Sequence, residues 1–191
     1  MTDQYSARRY VREPARRVYA NELREVRLHF KDGTDEKSPT YVMLPTGVRC
    51  NRIFVCGEMI LKEKKGEDTT FYSVRVRDPT GIFFVNAGSY QQEAMQQIAR
   101  IEQGSFVAVV GKPVVRSMED GSVFVSVRAE SVFPVDRDTY RLWVDDAAEQ
   151  TLDRIDAFRT TPDSEKAAEF YNTNPEIYRQ MVAAALRTIE F

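Results

Sequence analysis

Apolar and polar positions alternate through most of the chain between residues 25 and 135. In EVRLHF (25–30), Val26, Leu28 and Phe30 fall on one side and Arg27 and His29 on the other, the period of a strand with one buried face. The polar stretch KDGTDEKSP separates it from TYVML (40–44), which Pro45-Thr46-Gly47 stops, so a β-hairpin is predicted. RIFVCGEMI (52–60) reads as a strand with Gly57 inside it, and an internal glycine marks a bend or bulge at a barrel corner. After the charged loop KEKKGEDT comes TFYSVRVRD (70–78), with Tyr72, Val74 and Val76 on one face and Phe71, Ser73, Arg75 and Arg77 on the other. Asp78-Pro79-Thr80-Gly81 reads as a tight turn: proline presets φ, the Asp78 side chain bonds back to the backbone, and Gly81 takes a positive φ. In the next strand, GIFFVNAG (81–88), Phe84 and Asn86 face outward if Phe83 and Val85 are the buried pair; three consecutive apolar residues leave that parity open.

The period then changes. Ser89 and Gln92 have the spacing of a capping box, and Ala94, Met95, Ile98 and Ile101 follow helical spacing up to Gly104. SFVAVVGKPVVRS (105–117) is a long strand with Gly111 in its middle, EDGS a hairpin turn, and VFVSVRAESV (123–132) a fifth strand. That last strand sets Val123, Val125 and Val127 against Phe124, Ser126 and Arg128. Three strands, a helix and two strands with internal glycines are the order of the five-stranded Greek-key barrel called the OB-fold. The predicted class is mainly β with α: this barrel, preceded by the hairpin and followed by helices.

From residue 137 the spacing is helical. Tyr140, Trp143, Val144, Ala147, Thr151, Leu152, Ile155 and Phe158 form one stripe on a helix of about 137–159, with Asp136 or Asp138 as cap. Thr161-Pro162 and Asn174-Pro175 start two shorter helices. The chain therefore divides into a basic arm at 1–19, expected to be unstructured or to touch phosphates, an OB-fold domain with its hairpin at 20–136, and a helical region at 137–191.

Charge narrows the function. The net charge is −2, but it is +2 over residues 1–48, +1 over 49–135 and −5 over 136–191, so the acidity lies in the tail and a basic face on the barrel remains open. No stretch approaches the roughly 20 apolar residues of a membrane span, and no apolar leader opens the chain, so a cytoplasmic protein is expected. Two cysteines, Cys50 and Cys56, and one histidine, His29, make a poor zinc site and exclude triads that need histidine. If both cysteines share one strand they lie too far apart to pair. No carboxylate pair has a recognisable acid–base or metal-ligand pattern. Neither an enzyme nor a cofactor is expected.

The outward positions suggest a ligand. Bases of single-stranded nucleic acid stack on aromatic rings at roughly 1–3 kcal/mol each, and phosphates pair with Lys and Arg. Phe71, Arg75 and Arg77 on the second strand, Phe84 and Asn86 on the third, and Phe124 and Arg128 on the fifth supply both kinds of group. Lys62, Lys64 and Lys65 in the first loop and Arg116 at the last hairpin extend the set, although Glu63, Glu67 and Asp68 can make that loop merely solvated. An RNA reader is the weaker alternative, and a barrel that contacts only protein another.

VRDPTGIFFVNAGSYQQEA followed by FVAVVGKPVVRSMEDGSVFVSVRAESV resembles the OB-fold subunits of archaeal replication protein A, in particular the replication protein A-associated, 32-kDa-like subunits of euryarchaea. YANELREV, SPTYVMLPTGVRCNRIFVCGEM and LWVDDAAEQTLDRI fit the same family, so the resemblance covers roughly residues 17–158. It implies a non-enzymatic subunit of a single-stranded DNA-binding complex in replication, repair and recombination. The implied partners are single-stranded DNA, the large subunit of replication protein A and a further OB-fold subunit, met through the helix after the barrel. The alternative for that helix is that it folds back on its own barrel. The first loop departs from DNA-binding OB domains in carrying lysines and no aromatic, which leaves open an assembly subunit with little direct DNA binding.

Overall fold

The longest strand with the most charged tail, β5 (Ile53–Lys65), belongs to two neighbours at once. Its first half pairs antiparallel with β8 (Phe106–Ser117) and its second half with β6 (Phe71–Asp78), and Glu58 is opposite both Phe106 and Arg77. Gly57 sits at this handover. A Cβ there would collide with the Arg77 carbonyl, so the barrel can close at this corner only around glycine. Gly111 does the same where β8 shifts register, with the Arg128 carbonyl in the way of any Cβ.

β6 continues through the tight turn into β7 (Gly81–Ala87), β7 pairs parallel with β9 (Val123–Pro134), and β9 pairs antiparallel with β8. The five strands thus close as β5-β6-β7-β9-β8-β5, which is the OB barrel. Helix α2 (Gln92–Arg100) spans β7 and β8 and buries Ala94 and Ile98. Its cap is Gln91, whose side chain accepts from the Gly88 N–H; the predicted Ser89–Gln92 box does not form. Inward positions fill the barrel: Val55, Met59, Val74, Val76, Phe83, Val85, Val107, Val109 and Val127 are all buried.

The computed structural model describes residues 13–190. Most of the arm expected to be unstructured therefore lies outside the described residues. Its end does not behave as an arm: β1 (Arg16–Arg17) adds a parallel pair to β5, and Val18 and Tyr19 are buried in the core. A five-residue helix, α1 (Ala20–Arg24), follows where the sequence shows no periodicity. The hairpin forms as β2 (Leu28–Lys31) and β3 (Thr40–Met43) and gains a third short strand, β4 (Arg49–Cys50). Cys50 and Cys56 therefore lie on different strands, both as buried free thiols pushed up to about 12 by burial.

The Asp78 side chain bonds back to the backbone as expected, while the glycine of the turn departs from expectation. Gly81 is not among the glycines with positive φ and instead sits close under Ala20. Asp78 Oδ1 accepts from Thr80 N–H (2.7 Å), the Thr80 hydroxyl (2.8 Å) and Gly81 N–H (2.9 Å), while Oδ2 accepts from Ala20 N–H (2.8 Å), tying the turn to α1. Burial pushes its carboxyl up to about 6, against the pull of those four hydrogen bonds. The folded chain thus holds this proton more tightly than the unfolded chain, where Asp titrates near ~3.9. The contribution of Asp78 to stability is therefore full below about pH 4 and is lost as pH rises through about 6. Denaturant unfolding at acidic and neutral pH should show this directly. Between those limits the wild type is expected to lose about 2 kcal/mol more than Asp78→Asn does, and equal pH slopes would remove the assignment.

Helix α3 (Arg137–Asp156) is capped by Asp136, whose side chain accepts from Thr139 N–H. The stripe expected to meet other subunits is covered by this chain itself. Trp143 is only 2% exposed, donates to the Phe54 carbonyl (3.0 Å) and meets the Tyr19 ring edge-on at 5.8 Å. Val144, Ala147, Thr151 and Ile155 are buried, Tyr140 stacks on Phe106 at 4.6 Å, and Leu152 and Phe158 are half-buried. The covering comes from the barrel, β1 and α5 (Pro175–Arg187), which buries Tyr178, Val182 and Ala185. Helix α4 (Pro162–Tyr171), capped by Thr161, meets the small sheet instead, where Asp163 pairs with Arg49 at 2.7 Å. Among the described residues no helix is long and apolar enough to cross a membrane.

Candidate nucleic-acid interface

The parity left open in β7 is settled by burial: Phe83 and Val85 point in, Phe84 and Asn86 out. Strand register then assembles the outward residues. Arg75 lies opposite Phe84, Arg116 opposite Phe124, Ser73 opposite Asn86, and Asn86 opposite Arg128. Alternation along each strand and pairing between strands thus put residues more than 40 positions apart on one outer face.

Two of the aromatic rings meet there. The Phe84 and Phe124 centroids are 5.0 Å apart at an interplanar angle of 59°, and the Arg75 guanidinium carbon stands 5.6 Å from the Phe84 centroid. Phe124 is 38% exposed and Phe71, at the other end of β6, is 37% exposed; Phe84 is half-buried between its neighbours. Arg75, Arg116 and Arg128 are exposed and make no ion pair with any described residue. Two tilted, partly exposed rings flanked by guanidiniums without ion-pair partners can accept stacked bases and hold phosphates at their sides.

Three other expected members, Lys62, Lys65 and Arg77, are not free for this work. Lys62 belongs to β5 rather than a loop, and its ammonium donates to the carbonyls of Ile98 (3.2 Å), Ala99 (3.3 Å) and Ile101 (2.7 Å), capping the C-terminus of α2. Lys65 pairs with Glu63 at 3.0 Å, and Arg77 with Glu58 across the β5–β6 ladder at 2.6 Å. Lys64 is exposed on the same β5–β6 ladder, opposite Tyr72.

Helix α1 supplies a wall that the sequence pattern does not announce. Ala20, Leu23 and Arg24 line a small cavity of about 60 Å³ together with Ile82, Phe84 and Phe124, so the aromatic patch is closed at that end. Among the described residues, no group of His, Cys, Asp and Glu is arranged to hold a metal ion.

No family model matches the chain, and no curated protein matches it. Solved structures do. A chain of the S. pombe Stn1–Ten1 complex superposes with a TM-score of 0.57 at 12% identity, covering 74% of this chain and 93% of that one. Yeast Stn1 and Ten1 give a TM-score of 0.45 at 14% identity over 64% and 62% of the two chains. The second single-stranded DNA-binding protein of Mycobacterium smegmatis gives 0.38 at 25% identity over 44% and 86%. Of these three, the first superposes well enough to show a shared fold: the chain is an OB barrel with flanking helices.

Proposed function

We propose that this chain is a non-enzymatic OB-fold subunit that binds single-stranded DNA in a replication protein A-like complex serving replication, repair and recombination. The observation that carries the reading is the paired Phe84 and Phe124 rings on the outer barrel face, with Arg75 over one of them. That face asks for a ligand with flat rings and a polyanionic backbone, and the partly exposed Phe124 ring suits a strand whose bases are unpaired. The likeness in fold to a chain from the Stn1–Ten1 complex supports a place in an assembly. Because the α3 stripe is internal, contact with a large subunit would use another surface.

Titration of labelled oligo-dT and of a duplex at about 50 mM and about 200 mM salt tests the reading. Oligo-dT should bind at least about tenfold more tightly than duplex. Neutralising about three phosphates by Arg75, Arg116 and Arg128 gives a salt slope near about −2, so the affinity should fall roughly twentyfold between the two salts. Equal affinity for duplex would remove the single-strand reading, and tRNA bound more tightly than oligo-dT would favour an RNA reader.

A further inference from the structure

Asn86 and Arg128 do not end the outer row; it runs on to Lys112 of β8, which lies opposite Arg128. Lys112 and Arg128 then form one side of a cleft of about 400 Å³ between the barrel and the small β2-β3-β4 sheet. The facing side brings His29 of β2, Lys37 from the β2–β3 turn and Asn51 from the entry to β5. Pro113, Val114 and Val115 give it an apolar floor. No carboxylate lines this cleft, and Lys37, Lys112 and Arg128 make no ion pair with a described residue. Three uncommitted cations around an open cleft, continuous with the aromatic patch through one cross-strand row, form an anion track rather than a solvated surface. The neighbouring cleft on the other side of Lys112 and Arg128 differs: it holds Glu93 and Glu130, and Arg52 is spent on Glu130 at 2.7 Å.

We propose that the cleft between the small sheet and β8 is a second subsite, in which Lys37, Lys112 and Arg128 hold the phosphodiester backbone of the single strand after it leaves the Phe84–Phe124 patch. The inference rests on the single-strand reading above. It makes affinity depend on length beyond what the patch alone would give, because only a longer strand reaches the cleft.

The experiment compares oligo-dT of about 6 and about 16 nucleotides, both within the range of about 4 to 16 occupied by one OB-fold, on the wild type and on Lys37→Glu/Lys112→Glu, with circular dichroism as the folding control. The wild type should bind the long strand at least about tenfold more tightly than the short one. The variant should lose that advantage, keep its affinity for the short strand within about twofold, and show a salt slope shallower by about 1.4 on the long strand. Lys37→Glu alone, on an exposed turn, should give about half of the effect in log affinity. Equal losses on both lengths, or none on either, would overturn the subsite while leaving the patch in place. A wild type that binds neither length would overturn both readings.

Discussion

Arg154→Met should lower the free energy of unfolding by about 3–5 kcal/mol, the cost of leaving a buried charge without its partner. Glu22, on α1, is fully buried, and the guanidinium of Arg154 on α3 reaches both of its oxygens, at 2.9 and 3.1 Å. The rest of the carboxylate's surroundings is made of neutral donors. The Tyr19 N–H donates at 3.0 Å and the Thr46 hydroxyl at 2.9 Å, and the Thr151 hydroxyl lies 3.1 Å away. Arg154 also donates to the Arg17 carbonyl and to Thr46. One pair of charges therefore joins the segment before the barrel, the turn after β3 and the long helix. Glu22→Gln/Arg154→Met should recover much of the loss, since the orphaned charge goes with its partner; a urea double-mutant cycle measures the coupling. A single substitution costing under about 1 kcal/mol would show that the carboxylate is neutralised in some other way.

That network also explains what could not be read from sequence. A five-residue helix has no room for a period, and α1 exists because Glu22 and Leu23 are held from outside by tertiary contacts. Its role as a wall beside Phe84 and Phe124 depends on those contacts, so no local pattern marked it. Lys62 failed for a similar reason. A run of charges reads as a loop, yet β5 continues through it and brings the ammonium under carbonyls 36 to 39 residues away. The α3 stripe was legible as a buried face, but spacing says which side is covered and never by what. Here β1, the barrel and α5 cover it, and no partner chain is required. The barrel itself was legible because stretches of its strands, β6 above all, alternate with a period of two and its corners need glycine. Phe124 and Arg128 were placed outward by the same alternation that buries Val125 and Val127. Phe84 was not, until burial of Phe83 fixed the parity.

Phe84→Ala combined with Phe124→Ala should lower oligo-dT affinity at least about tenfold without unfolding the chain. Each stacked base contributes roughly 1–3 kcal/mol, and tenfold in affinity is about 1.4 kcal/mol, so the loss of both stacks exceeds the threshold even at the low end of that range. Both side chains lie outside the barrel and touch each other, so joint truncation removes a mutual contact and leaves the inward valines packed. Either single substitution should be milder, because the remaining ring can still take a base. Arg75→Gln should act differently: it leaves the rings in place, flattens the salt slope by about 0.7, and weakens binding less at high salt than at low. The two kinds of variant therefore separate stacking from charge. If the double aromatic variant binds oligo-dT as the wild type does while Arg75→Gln does not, the strand lies along the arginines without stacking, and the paired rings serve only to cover Ser126 and the outer end of the barrel.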